Sequence, residues 1–273
     1  MARPYFRLPS PLPILHATFT CWRAVAPYLD FLTFAAAGAV AQLVDGALGM
    51  AYGVVCATLL LGLGVPPVMA TASVHQAEVF TCAASGVSHL LAGNVRWKLF
   101  WKLALPGLLG AVVGAMVVTQ VPTAWMRLAL TPYLLGVGVL LLLRASAAPP
   151  IALEVPRGTP ALGLAAGVAD AMAGGGWSAL TVTTLVARGV APRAVIGTAH
   201  LAKCVVSIAA SLSFLLLIGR PEGHAVLGLI VGGVLTAPLG ALVVRRLPGR
   251  VATVLAAIAV LGLGLGNVVR ALG

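Results

Sequence analysis

Residues 45–78 read DGALGMAYGVVCATLLLGLGVPPVMATASVHQAE, and residues 170–203 read DAMAGGGWSALTVTTLVARGVAPRAVIGTAHLAK. Aligned end to end, the two stretches put Asp45 on Asp170, Gly49 on Gly174, Gly64 on Gly189, Pro67 on Pro192 and His75 on His200, while Glu78 meets Lys203. The chain is a duplication. Its matched positions hold nearly every polar residue found within otherwise apolar segments, which concentrates the chemistry there.

Working outward, 60% of the 273 residues are hydrophobic and 8% are charged, with a mean hydropathy of +1.07. Soluble domains carry about 25% charged residues, so this composition predicts an integral membrane protein. Its apolar runs are long enough to cross a hydrocarbon layer of about 30 Å, and helices satisfy their own backbone there where isolated strands cannot. From Phe31 to Val65 the chain is apolar over a length of about 52 Å as one helix, too long for one crossing. The glycines around Asp45 and Gly49 mark the break. Three spans follow, near Thr71–Ala92, Leu99–Thr119 and Ala124–Leu143. The second copy repeats the pattern with a hairpin near Ala161–Val186 and spans near Ala194–Ile218, Ala225–Val244 and Val251–Val269.

The expected fold class is therefore an all-α polytopic membrane protein of two repeats, each a broken or re-entrant helical hairpin plus three transmembrane helices, with 8 full or up to 10 spans. Its segments are an N-terminal arm over 1–30, repeat 1 over 31–144, a proline-rich linker over 145–159 and repeat 2 over 160–273. A hairpin that returns to its starting side plus three crossings makes an odd number, so the repeats are expected to be inverted. The loops holding Arg96, Lys98 and Lys102 belong to the more basic side, which places both termini outside. The expected location is a bacterial-type cell inner membrane.

The formal charge of +11 comes from basic residues scattered singly, without the clustered patch of a nucleic-acid binder. It favours an anion on any central pathway. The four cysteines show no paired spacing. No HExxH, GxSxG or P-loop lysine motif is present, so neither an enzyme nor a cofactor is expected. The expected partners are a small anionic substrate and membrane lipids, with no nucleic acid, and a homodimer is the assembly considered.

Thr71, His75, Glu78, Cys82, Ser85 and His89 follow at steps of three and four, which lines them along one helix face. His200, Lys203 and Ser207 form the counterpart. An ionised residue at bilayer depth costs about 2.5–3.5 kcal/mol on insertion scales, so this face turns inward. Glu78 and Lys203 are open to two readings: a buried ion pair between matched helices, or an anion-holding cation beside a proton-coupling carboxylate. His75 and His200 are either core imidazoles or a site at the repeat interface. Asp45 and Asp170 either cap the short helices that follow or carry protons. Backbone N–H groups at the glycine breaks offer an anion cradle, walled by Tyr52 and Trp177 or merely packed beside them. Substrate binding is thus assigned to His75, His200, Lys203, Gly49, Tyr52, Gly175, Gly176 and Trp177, and proton coupling to Glu78, Asp45 and Asp170. No metal ligand is assigned, although the paired His and Asp residues support an alternative as a divalent metal cation transporter.

The glycine-rich break, the segments Gly64-Val65-Pro66-Pro67-Val68-Met69-Ala70 and Gly189-Val190-Ala191-Pro192-Arg193-Ala194, the polar helix after each, and the Gly93-Asn94-Val95-Arg96-Trp97 turn together resemble the TauE/SafE sulfite exporter family, also called the toluene sulfonate uptake permease family. The resemblance runs from about Phe31 to Leu272. It implies a secondary transporter of a sulfur-containing anion such as sulfite, thiosulfate or an organosulfonate, driven by an ion gradient, and leaves the exact substrate open.

Overall fold

The computed structural model describes residues 31–48, 52–122, 155–221 and 223–244, with isolated helical positions between 132 and 143 and between 254 and 265. The expected arm over 1–30, most of the linker, and most of the third span of each repeat lie outside the described residues. Among the described residues the secondary structure is helical: α1 Phe31–Leu48, α2 Tyr52–Gly62, α3 Pro67–Leu91, α4 Trp97–Gln120, α5 Thr159–Ala173, α6 Trp177–Ala187, α7 Pro192–Ile218 and α8 Gly223–Val244.

The long apolar stretch breaks where its glycines and aspartates predict. α5 ends on Gly174 in the left-handed region, and Gly176 also has positive φ before α6 begins. α2 and α6, the helices after the two breaks, are both 11 residues long. They end in the same way. Gly64 and Gly189 sit at φ 88° and 85°, and Val65 and Val190 donate to the carbonyls of Leu60 and Leu185, each at 3.0 Å. This six-to-one closure requires the left-handed residue that glycine supplies without penalty. Pro67 and Pro192 then open α3 and α7, where the missing N–H costs no helical bond.

Close backbone approaches fix the helix directions. A side chain at Gly86 on α3 would strike Leu201 on α7, while Glu78 faces Ser207 and His75 stacks on Phe214. The numbers rise on one helix as they fall on the other, so the matched helices α3 and α7 run antiparallel. α4 and α5 run parallel, because Gly163 abuts Leu103, Gly167 abuts Gly107 and Gly114 abuts Val168. α1 and α8 also run parallel, with Gly228 against Phe34 and Gly232 against Ala35. α1 therefore packs along α8 and α5 along α4, each on an element of the other half.

Polarity is distributed in the reverse of a water-soluble domain. Leu105, Leu109 and Met116 on α4, Leu212 and Leu216 on α7, and Leu235 on α8 point outward, while Asp45, Glu78, Asp170 and Lys203 are buried. Trp97 and Trp101 project from the start of α4 near Lys98 and Lys102, the pairing found at a membrane–water boundary. Two described helices, Trp97–Gln120 and Ala194–Ile218, are long and apolar enough to cross a membrane. α3 is 25 residues long, and the polar stripe lowers its hydropathy. That stripe is buried at Thr71, His75, Glu78 and Cys82 and half-buried at Ser85 and His89, toward the turn.

Gly167→Ala places a methyl group against the Gly107 carbonyl in the tightest part of the α4–α5 contact. Overpacking of this kind costs about 1–3 kcal/mol. The purified variant is expected to melt below wild type, whereas Gly223→Ala, with nothing within 4 Å of the added carbon, leaves the melting temperature unchanged.

Candidate functional site

The two helix breaks meet inside the bundle. A side chain at Gly53 would lie 2.6 Å from Glu78 Oε1 and 2.7 Å from the Gly174 carbonyl, and Gly175 faces the Gly53–Val54 peptide. Only glycine lets the two backbones approach this closely. Each break is capped by its aspartate. The Tyr52 N–H donates to Asp45 Oδ1 at 3.0 Å, and the Trp177 N–H donates to Asp170 Oδ1 at 2.9 Å. A carboxylate at a helix N-terminus satisfies an orphan donor and meets the positive end of the helix dipole. The capping role suggested by sequence is thus present at both aspartates.

Beyond the caps the two halves diverge. Lys203, 3% exposed, donates from Nζ to both oxygens of Asp170 at 2.6 Å each. The same ammonium lies 3.0 Å from Glu78 Oε2. Ser207 donates to that Glu78 oxygen at 3.3 Å. Sequence alone suggested a pair of Glu78 with Lys203, but Asp170, from the lysine's own half, is the nearer partner. His75 is fully buried: its Nε2 lies 3.1 Å from the Asp170 carbonyl, and its Nδ1 lies 3.2 Å from Glu78 Oε2 and 3.9 Å from Asp170 Oδ2. Thr71 secures the same turn by donating to the Ala171 carbonyl at 2.9 Å.

A cavity of about 20 Å³ lies beside this cluster, walled by Asp45, Tyr52, Gly53, Glu78, His200 and Lys203, with Val54, Cys82, Gly175, Gly176 and Ser178 completing it. That is room for about one water molecule. His200 reaches the cavity wall and stacks on His89 with ring centroids 5.8 Å apart.

Of the residues assigned from sequence, Lys203, His200, Tyr52, Gly175, Gly176, Glu78 and Asp45 border the cavity. Asp170 and His75 stand behind it, joined through Lys203 and Glu78. Trp177 takes a structural position. Its ring is fully buried against Gly107, and its Nε1–H donates to the Ala199 carbonyl at 3.0 Å. Gly49 lies outside the described residues. Gly53 and Ser178, the matched last residues of the two glycine-break stretches read as an anion cradle, border the cavity as well.

His75, Glu78 and Asp170 each offer a donor atom within 4.8 Å of the others, a spacing that can hold a metal ion. The Lys203 ammonium already stands between the two carboxylates as a tethered cation.

The sequence model described as "Sulfite exporter TauE/SafE" matches residues 34–266, most of the chain. The chain belongs to the TauE/SafE family. A relative in Bacillus subtilis (strain 168), the "Probable membrane transporter protein YtnM", is 40% identical over 224 residues, covering 79% of this chain and 75% of its own. No solved structure matches the chain. Membership makes this TauE/SafE chain an integral membrane protein of a transporter family, in keeping with its apolar exterior and buried charges.

Removing the cation from between two buried carboxylates leaves uncompensated charge, at about 3–5 kcal/mol. Lys203→Met is expected to lower the melting temperature of the purified protein strongly. Adding Asp170→Asn, which removes the nearer carboxylate charge, is expected to restore more than half of the loss.

Proposed function

We propose that this TauE/SafE protein is a secondary transporter that moves a small sulfur-containing anion, such as sulfite, thiosulfate or an organosulfonate, across the membrane together with protons. The observation that carries the proposal is the set of oxyanion donors gathered where the two helix breaks meet: the Lys203 ammonium and the first amides of α2 and α6. All three are engaged by the protein's own carboxylates in this structure. A transported anion would take over such donors as the site opens, and the displaced carboxylates would accept protons. Family membership supports transport and the sulfur-anion class, and the name of the relative supports transport alone.

The antiparallel run of α3 and α7, with parallel packing of α1 on α8 and α5 on α4, supports two inverted repeats. Inverted-repeat transporters place broken helices at the bilayer midplane and alternate access around them. Glu78 lies on the twelfth residue of α3, about 16 Å along the helix and close to half of a 30 Å membrane. Divalent cation transport draws less support, because Lys203 stands among the donors a metal would need.

Proteoliposomes containing the wild-type protein are expected to show pH-gradient-dependent flux of sulfite, thiosulfate or methanesulfonate. Lys203→Ala removes a charge-assisted contact worth about 1.5–3 kcal/mol, so flux at subsaturating anion is expected to fall about tenfold or more. Absence of flux for all three anions in the wild-type protein, or wild-type flux in a Lys203→Ala, His200→Ala double variant, would overturn the assignment.

A further inference from the structure

We infer that the route through the protein runs along the seam between α3 and α7 and is gated at each end by a stacked pair of rings, His89 on His200 toward one face of the membrane and Phe214 on His75 toward the other. Both pairs are made in this structure. Ring centroids lie 5.8 Å apart with planes at 27° in the first, and 6.1 Å apart at 21° in the second. The two stacks are one contact occurring twice. The alignment that sets Asp45 on Asp170 carries His75 onto His200 and also carries His89 onto Phe214, so exchanging the two halves turns each stack into the other. Chance packing does not return with its partners exchanged, whereas alternating access between inverted halves calls for one matched barrier on each side of the site.

The stacks bracket the charged cluster. On α3, Glu78 comes three residues after His75 and eleven before His89; on α7, Lys203 comes three after His200 and eleven before Phe214. Because the two helices are antiparallel, the Glu78–Lys203 contact at 3.0 Å falls between the stacks. So does the cavity, which His200 and Cys82 border. Fourteen residues separate the two rings on each helix. That is close to four full turns, so the rings share a face and stand about 21 Å apart along it, within a membrane of about 30 Å.

Each stack joins α3 to α7, and the ion contact between them is placed as a pivot. Tilting one helix over the other about that point parts one stack and presses the other, so the cavity is reached from one face at a time. The two ends are built differently. Around His89 the seam is tied down: the Asn94 side-chain amide donates to His89 Nδ1 at 3.1 Å, the Arg96 N–H donates to Thr198 Oγ1 at 2.9 Å, and a side chain at Gly86 would lie 3.0 Å from Leu201 Cα. Beside Phe214 a cavity of about 410 Å³, bordered by Gln76, Ser211 and Leu215, leaves α7 space to move. What passes the gates rests on the transport proposed above; the gates themselves are tested without any anion.

Cys82 borders the cavity between the stacks and serves as the reporter. In full-length protein carrying Cys21→Ser, Cys56→Ala and Cys204→Ser, a membrane-impermeant methanethiosulfonate is applied to spheroplasts and to inverted vesicles, which present opposite faces, and modification of Cys82 is followed by mass spectrometry. With the rings intact, labelling is expected to be slow in both preparations. Its rate follows the minor population open to each face, so His89→Ala is expected to raise it about tenfold in one preparation only, and Phe214→Ala about tenfold in the other only. His89→Phe, which rebuilds the stack in the form found at Phe214, is expected to stay slow. Phe214→Val takes the place of Phe214→Ala if the larger truncation does not yield folded protein. Labelling that stays slow in either truncation, that rises in both preparations with one substitution, that rises in the same preparation with both, or that rises in His89→Phe would overturn the gates. Anion flux measured beside such labelling leaves the transport reading standing, and face-specific labelling in a protein that carries no sulfur anion leaves the gates standing, so the two failures are separate.

Discussion

An ammonium held by two carboxylates in the middle of an apolar bundle is the constraint on which the rest of this structure depends. None of the three charges is tolerable alone at that depth, and Lys203, Asp170 and Glu78 come from three different helices. Their meeting therefore fixes the mutual placement of α3, α5 and α7. It also explains the local sequence. Asp170 lies in the last turn of α5, which ends three residues later, and Gly174 and Gly176 take up the backbone angles that the break demands. Closeness of the second break at Gly53 then follows, because Glu78 has to pass beside it to reach the lysine.

Much of this architecture was legible in the sequence because membrane proteins state their rules openly. Stretches too long for one crossing, interrupted by glycine and aspartate, gave the breaks. A run of polar residues at helical steps gave the inner face of α3. The duplication supplied the second copy of each. What could not be read was the partner choice of Lys203. Alignment sets it opposite Glu78, and nothing in the letters says that Asp170, thirty-three positions earlier in the same half, lies nearer. That proximity depends on how α5 and α7 cross, a tertiary fact. The backbone carbonyl that fixes the orientation of His75 was equally invisible, since every residue carries one.

Trp177 shows the complementary limit. Its alignment with Tyr52 suggested a pair of aromatic walls, and the caps beneath them are indeed alike. The side chains go different ways: Tyr52 borders the cavity and donates from its hydroxyl to the Leu229 carbonyl, while the indole fills the groove left by Gly107. A duplicated backbone thus supports unlike interiors. Symmetry governs where the helices break and how they end, and it stops governing at the level of the groups that carry charge.

The packing of α1 along α8 and of α5 along α4 bears on what can move. Both contacts are seated through glycines at backbone distance, the least deformable kind of helix interface, and each joins an element of the first half to one of the second. Any rearrangement that opens the central cavity is cheapest if it preserves those seats and slides the bundle elsewhere. The units held together by those seats are composites, each stitched from both halves of the chain.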